Sequence, residues 1–166
     1  MHGIDCIRAA FQTSNQLTLG LISDMKDVAL TQPTDNGGNH PLWILGHLTY
    51  AEGQLIQSMM LGNDNPIAEW KDLFDGGTQP VLDAHHYPPF DDIMARFEQL
   101  RSETLSVLDG LDDAGLDTPS KNCPPDFAAF FGTYGLCMLN CSMHAMHHRG
   151  QVADARLKLG RAPLMG

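Results

Sequence analysis

At 166 residues the chain has the length of one domain with one core, expected to span 1–166, and 43% hydrophobic with 18% charged residues is globular composition. Twenty acidic against ten basic side chains leave a formal net charge of -10. That charge repels phosphate backbones and anionic lipid headgroups, which excludes nucleic acid and membrane surfaces as expected partners.

Residues 4–30 read as a first helix, because Ile4, Ile7, Phe11, Leu17, Leu21, Met25 and Leu30 recur near helical spacing without a proline. The turn formers between Thr31 and Asn39 break it. A second helix begins near Asn39 or His40, with Pro41 suited to the first helical position, and runs through Trp43, His47 and Tyr50 to about Leu61. From Gly62 to Pro89 the chain reads as irregular, a long connection of the kind that crosses over a fold or carries function. A third helix is expected from Phe90 or Asp91 to Leu111, its acidic start matched to the helix dipole and its apolar stripe formed by Ile93, Phe97, Leu100, Leu105 and Leu108. After a polar connection over 112–125, Thr133 is a good N-cap for a last helix to Leu159, and Gly160 sits where a left-handed cap belongs. Four amphipathic helices without a β-pattern predict an all-α four-helix bundle.

Apolar runs fall short of the ~20 residues of a spanning helix. Met1-His2-Gly3-Ile4-Asp5 has neither the basic nor the apolar region of a secretory signal, so a cytoplasmic protein is expected. The four cysteines form no CxxC pair, and Cys137 and Cys141 read as small buried hydrophobes.

Three of eight histidines crowd the stretch His144 to Gln151. His144 and His148 are one turn apart, about 5–6 Å at Cβ, which lets two imidazoles converge on one ion. The competing reading is a pair of ordinary core or surface histidines. His147 points about 100° away from His148 and is assigned a flanking role. Met138, Leu139, Met143 and Met146 read as core packing. The zinc-protease pattern needs a glutamate where Ala145 stands, and the di-iron pattern needs a glutamate three residues before a histidine, which none of His47, His144, His147 and His148 has. A third ligand therefore has to come from another helix. His47, in the apolar segment Trp43 to Leu48, is the natural candidate, since a buried ionisable group needs a partner. Gly46 and Gly150 each cost about 1 kcal/mol inside a helix and suggest close helix approach near the site. His40, His85 and His86 read as solvent-exposed.

The segment His40-Pro41-Leu42-Trp43-Ile44-Leu45-Gly46-His47-Leu48 resembles the second helix of the DinB-like superfamily of metal-binding proteins. So does the stretch from His144 through His148-Arg149-Gly150-Gln151 to Arg156. Glu69-Trp70, Phe74 and the Tyr87 to Asp91 segment are similar as well. The resemblance covers most of the chain. It implies an up-down-down-up bundle with a long crossover between helices two and three, often a homodimer. It also implies zinc or nickel on His47, His144 and His148.

Relatives of this kind include thiol S-transferases that use bacillithiol or mycothiol. The function expected here is thus a metal-dependent S-transferase in which a low-molecular-weight thiol, bound as thiolate, attacks a small electrophilic substrate. A metal-dependent hydrolase and a non-catalytic stress protein binding metal or ligand are the alternatives. Tyr50 and Arg149 are candidates to orient substrate, against plainer readings as a core aromatic and a structural ion pair. The sequence assigns no catalytic residue.

Overall fold

A computed structural model of the chain describes residues 1–32 and 38–162. The described residues form six α-helices: α1 Gly3–Ser23, α2 Pro41–Glu52, α3 Lys71–Phe74, α4 Phe90–Asp109, α5 Ala128–Phe131 and α6 Tyr134–Lys158. α2 continues directly into a π-helix, Gly53–Met60. The architecture is all-α; the one β-type pairing among the described residues is an isolated bridge between Pro119 and Thr133.

Four elements are long, and α1 packs most extensively on α6, while α2 lies against both α4 and α6. The second, third and last helices fall within a few residues of their expected limits. The first ends earlier, at Ser23 rather than near Leu30. There the chain breaks into turns, with Asp24 held by Arg156 and Arg161 and Asp27 by Arg161, so charges from the end of α6 fix this corner. Met25 and Leu30 still reach the core, which is why their spacing resembled helix. Residues 33–37 of the expected breaker run, and Pro163, lie outside the described residues. Gly160 adopts φ +76°, the left-handed cap its position required.

The interior has two apolar clusters. One surrounds α2 near its start, with Ile44, Leu45, Phe74, Phe97 and Val152. The other joins Ile7, Phe11, Ile56, Met60, Cys137 and Cys141. Between them lies a buried ion pair that the sequence reading did not find. The Arg101 guanidinium donates to both Glu52 oxygens at 2.8–3.0 Å and stacks between the rings of Phe11 and Phe97. Arg101 lies four residues after Phe97 on the apolar stripe of α4, and that misplaced charge was the available signal.

The turn after α2 winds at the wider π spacing, and Asn65 secures the junction. Its amide donates to the Tyr50 carbonyl while its oxygen accepts from Ile67 N–H. A side chain on Gly53 would collide with that amide, whose oxygen lies 2.3 Å from where a Cβ would stand. Tyr50 and Ala51 at the end of α2, and Gln54 and Leu55 at the start of the π segment, lie along one wall of a cavity.

Candidate metal centre

α2 is buried on all sides from Pro41 to Tyr50, because α4, α6 and the crossover all pack on it. Its first turn is capped by a histidine. His40 Nδ1 accepts the Trp43 backbone N–H at 3.0 Å, and its Nε2 donates to the Val81 carbonyl at 3.0 Å. His40 is 0% exposed, contrary to its expected solvent-facing role, and burial pushes its pKa down. Its two bonds need one bare and one protonated nitrogen, which fixes the neutral tautomer. His85 and His86 are exposed as expected.

Two turns into α2, His47 meets His144 and His148 of α6. His144 Nε2 lies 3.2 Å from His47 Nε2 and 3.1 Å from His148 Nε2, and one ligand atom from each of the three falls within 4.8 Å of the others. The far side of each outer ring is occupied. His47 Nδ1 lies 2.7 Å from the Phe74 carbonyl and can only be the donor there. His148 Nδ1 lies 2.9 Å from Gln151 Oε1, which also accepts from Asn39. A neutral imidazole that donates through Nδ1 presents a bare Nε2 lone pair, so His47 and His148 both aim acceptors at His144.

Nitrogens at 2.0–2.1 Å from a tetrahedral ion stand about 3.3 Å apart, close to the two separations found. Three inward-facing imidazole nitrogens, two of them with their outer N–H groups anchored, are a donor set that fits a divalent metal ion.

Electrostatics keeps these rings ready to ligate. Burial, with the neighbouring imidazoles adding to it, pushes His144 down to about 3. His148 is lowered to about 4 by burial, against the Gln151 hydrogen bond that favours its protonated form. His47 is lowered by burial too, although the Phe74 carbonyl and the Asp75 carboxylate act the other way. Trp43 stacks face to face on His47, centroids 4.6 Å apart, and is itself tied by Nε1 to the Leu73 carbonyl and Thr78 Oγ1.

Gly46 explains how the Phe74 carbonyl reaches His47. A Cβ at Gly46 would lie 2.1 Å from Phe74 Cε1, so only glycine lets the α3 ring seat against α2. The close approach expected at Gly46 is therefore made by the crossover rather than by α6. Among the described residues no atom outside its own helix backbone lies within 4 Å of a Cβ at Gly150, so the close approach expected there is not made by them.

A cavity of about 740 Å³ opens beside the triad, lined by His47 and His144 but not by His148. Tyr50, Gln54, Asp75, Asn140 and His147 supply its polar groups, and Ala51, Leu55, Phe127, Phe131 and Met143 its apolar wall. The Asn140 amide holds the Phe130 and Leu136 carbonyls at 2.7 and 3.0 Å and so ties α5 to α6.

A sequence model of the DinB superfamily matches residues 10–152, which include all three histidines. The chain belongs to the DinB superfamily. Among curated proteins no match to it is found.

In this DinB-superfamily protein the three histidines singled out from the sequence come together, and His147 flanks them on the cavity side. Tyr50 is in the cavity wall rather than simply in the core. Arg149 forms no ion pair among the described residues, and its Nε is buried without a hydrogen-bond partner. Of the apolar residues read as core on α6, Met138 is buried, whereas Leu139, Met143 and Met146 are exposed. Asp75, Phe127 and Phe131 were missed. The aromatic run Phe127 to Phe131 between two prolines and Gly132 was their one visible signal, and Asp75 had none.

Proposed function

We propose that this protein is a metal-dependent thiol S-transferase. His47, His144 and His148 hold one divalent ion, zinc or nickel, and a low-molecular-weight thiol is the nucleophilic co-substrate. The observation that carries the reading is the convergence of three histidine nitrogens at the edge of a largely apolar cavity. When bound, the ion supplies Lewis acidity that favours the deprotonated form of a thiol at neutral pH. The chain's own residues do the rest. The Phe74 carbonyl and Gln151 hold the outer rings, Trp43 braces His47, and Phe127 and Phe131 give the substrate an apolar surface to lie against. The reaction joins thiol sulfur to an electrophilic carbon and releases a proton and the leaving group.

A metal-dependent hydrolase is the second reading, favoured by Asp75, a carboxylate in the same wall that could take a proton from water. The single domain over 1–166, the up-down-down-up bundle path, a homodimeric state and action in the cytoplasm belong to the same proposal. So does the absence of nucleic-acid and membrane partners. The net charge of -10 supports that last point, as does the finding that no described helix is long and apolar enough to cross a membrane.

The test is thioether formation from a panel of thiols and a model haloarene by metal-loaded protein, against protein stripped with chelator. Metal-dependent thioether product supports the transferase. Metal-dependent ester hydrolysis without thiol consumption favours the second reading, and neither activity leaves a non-catalytic metal-binding protein.

A further inference from the structure

We propose that the cavity beside the three histidines takes a ligand with an apolar body that carries no negative charge where it lies against Asp75, and that Asp75 sets this selectivity. The inference rests on the triad being the reactive centre, because the cavity opens onto His47 and His144. The apolar part of its wall is contributed by Phe127, Phe131, Leu55 and Met143, enough surface to enclose a ring system or branched chain. Asp75 is the only Asp, Glu, Lys or Arg among the described residues of the wall.

Its carboxylate is not neutralised. One oxygen accepts the Gly76 N–H at 2.8 Å, and among the described residues Asp75 forms no ion pair. Its place in the wall sets that carboxylate against the cavity. The chain's net charge of -10 has the same sign. A carboxylate or phosphate on the part of an entering molecule that lies along this wall would meet, among the described residues, no Lys or Arg and one carboxylate, across a largely apolar surface. An uncharged or ammonium-bearing molecule meets no such barrier. A thiol or an acceptor entering this way therefore keeps any acidic groups away from the Asp75 side of the cavity.

Three probes of one shape test this on metal-free protein in chelator: 1-naphthylmethanol, 1-naphthylmethylammonium and 1-naphthoate, by equilibrium dialysis. The alcohol and the ammonium are expected to bind, and the naphthoate about tenfold or more weaker. Asp75→Asn, which keeps the oxygen that accepts from Gly76, should bring the naphthoate up towards the alcohol and weaken the ammonium. Phe131→Ala should weaken all three. Naphthoate binding as tightly as the ammonium, an unchanged ratio in Asp75→Asn, or no binding of any probe overturns the inference. No metal takes part, so these results stand apart from the metal titration and the thiol assay that test the proposed function.

Discussion

Gly46→Ala changes one hydrogen for a methyl group and should both destabilise the fold and loosen the metal site. The added Cβ would stand 2.1, 2.3 and 2.4 Å from three carbons of the Phe74 ring, where ordinary contact begins near 3.4 Å. The ring must retreat by about 1.3 Å, yet it is fully buried and stacked on Tyr87 at 5.4 Å. Overpacking of this kind costs about 1–3 kcal/mol, and the tight contact argues for the upper end. Replacing glycine by alanine in a helix returns about 1 kcal/mol. The net is a loss of about 2 kcal/mol, or roughly 4–8 °C in Tm for a chain of this length. The Phe74 carbonyl moves with its ring and gives up the 2.7 Å bond that orients His47, so divalent-metal affinity should fall about 10–100-fold. Gly150→Ala is the control: nothing lies within 4 Å, so it should gain about 1 kcal/mol from helix propensity and leave metal affinity alone. Differential scanning calorimetry and metal titration read both variants. A Gly46→Ala protein that melts higher than wild type, in step with Gly150→Ala, would refute the seating of Phe74.

Glu52→Gln should cost about 3 kcal/mol in denaturant unfolding, because it strands the Arg101 guanidinium in the core. A loss below about 1 kcal/mol would mean that the pair is solvated. The pKa of His40 is depressed by burial, so the fold favours its neutral form; its contribution is present above about 6.5 and is lost as pH falls towards the folded pKa. His40→Asn, a good cap without a titration, should flatten part of the decline in Tm between pH 7 and 5. The same sign applies to His144 and His148 in metal-free protein: the unfolded chain takes up their protons below about 6.5 while the folded chain holds out to about 3 and about 4. Metal affinity of the folded protein should accordingly fall only at pH values below the ordinary histidine range, and a steep loss centred on 6.5 by isothermal titration would contradict the burial of these rings.

The parts legible in the sequence were those set by local periodicity. α6 shows its N-cap Thr133, its terminal Gly160 and its i, i+4 histidine pair without reference to any other segment. His47 was legible because a lone ionisable group stood in an unbroken apolar run. What escaped notice depends on contacts far apart in the chain. His40 looks like an exposed residue at a helix start until the Val81 carbonyl is brought against it. Asp75 reaches the cavity because Gly46 admits Phe74, a placement made 29 residues upstream that leaves no trace near Asp75 itself. The π winding after Glu52 follows no pattern visible in the residues Gly53 to Met60 themselves and is secured by Asn65, beyond the end of the segment. The exposed residues of α6 looked like core because helical spacing shows that a face is apolar without showing what covers it.

Cobalt(II) titration of metal-free protein, followed by visible absorption, tests the central claim most directly. One equivalent per chain should bind, with a spectrum of nitrogen-rich ligation that is lost in His47→Ala, His144→Ala and His148→Ala and retained in His147→Ala. Binding by His47→Ala as tight as wild type, or its loss in His147→Ala alone, would contradict a centre built from His47, His144 and His148.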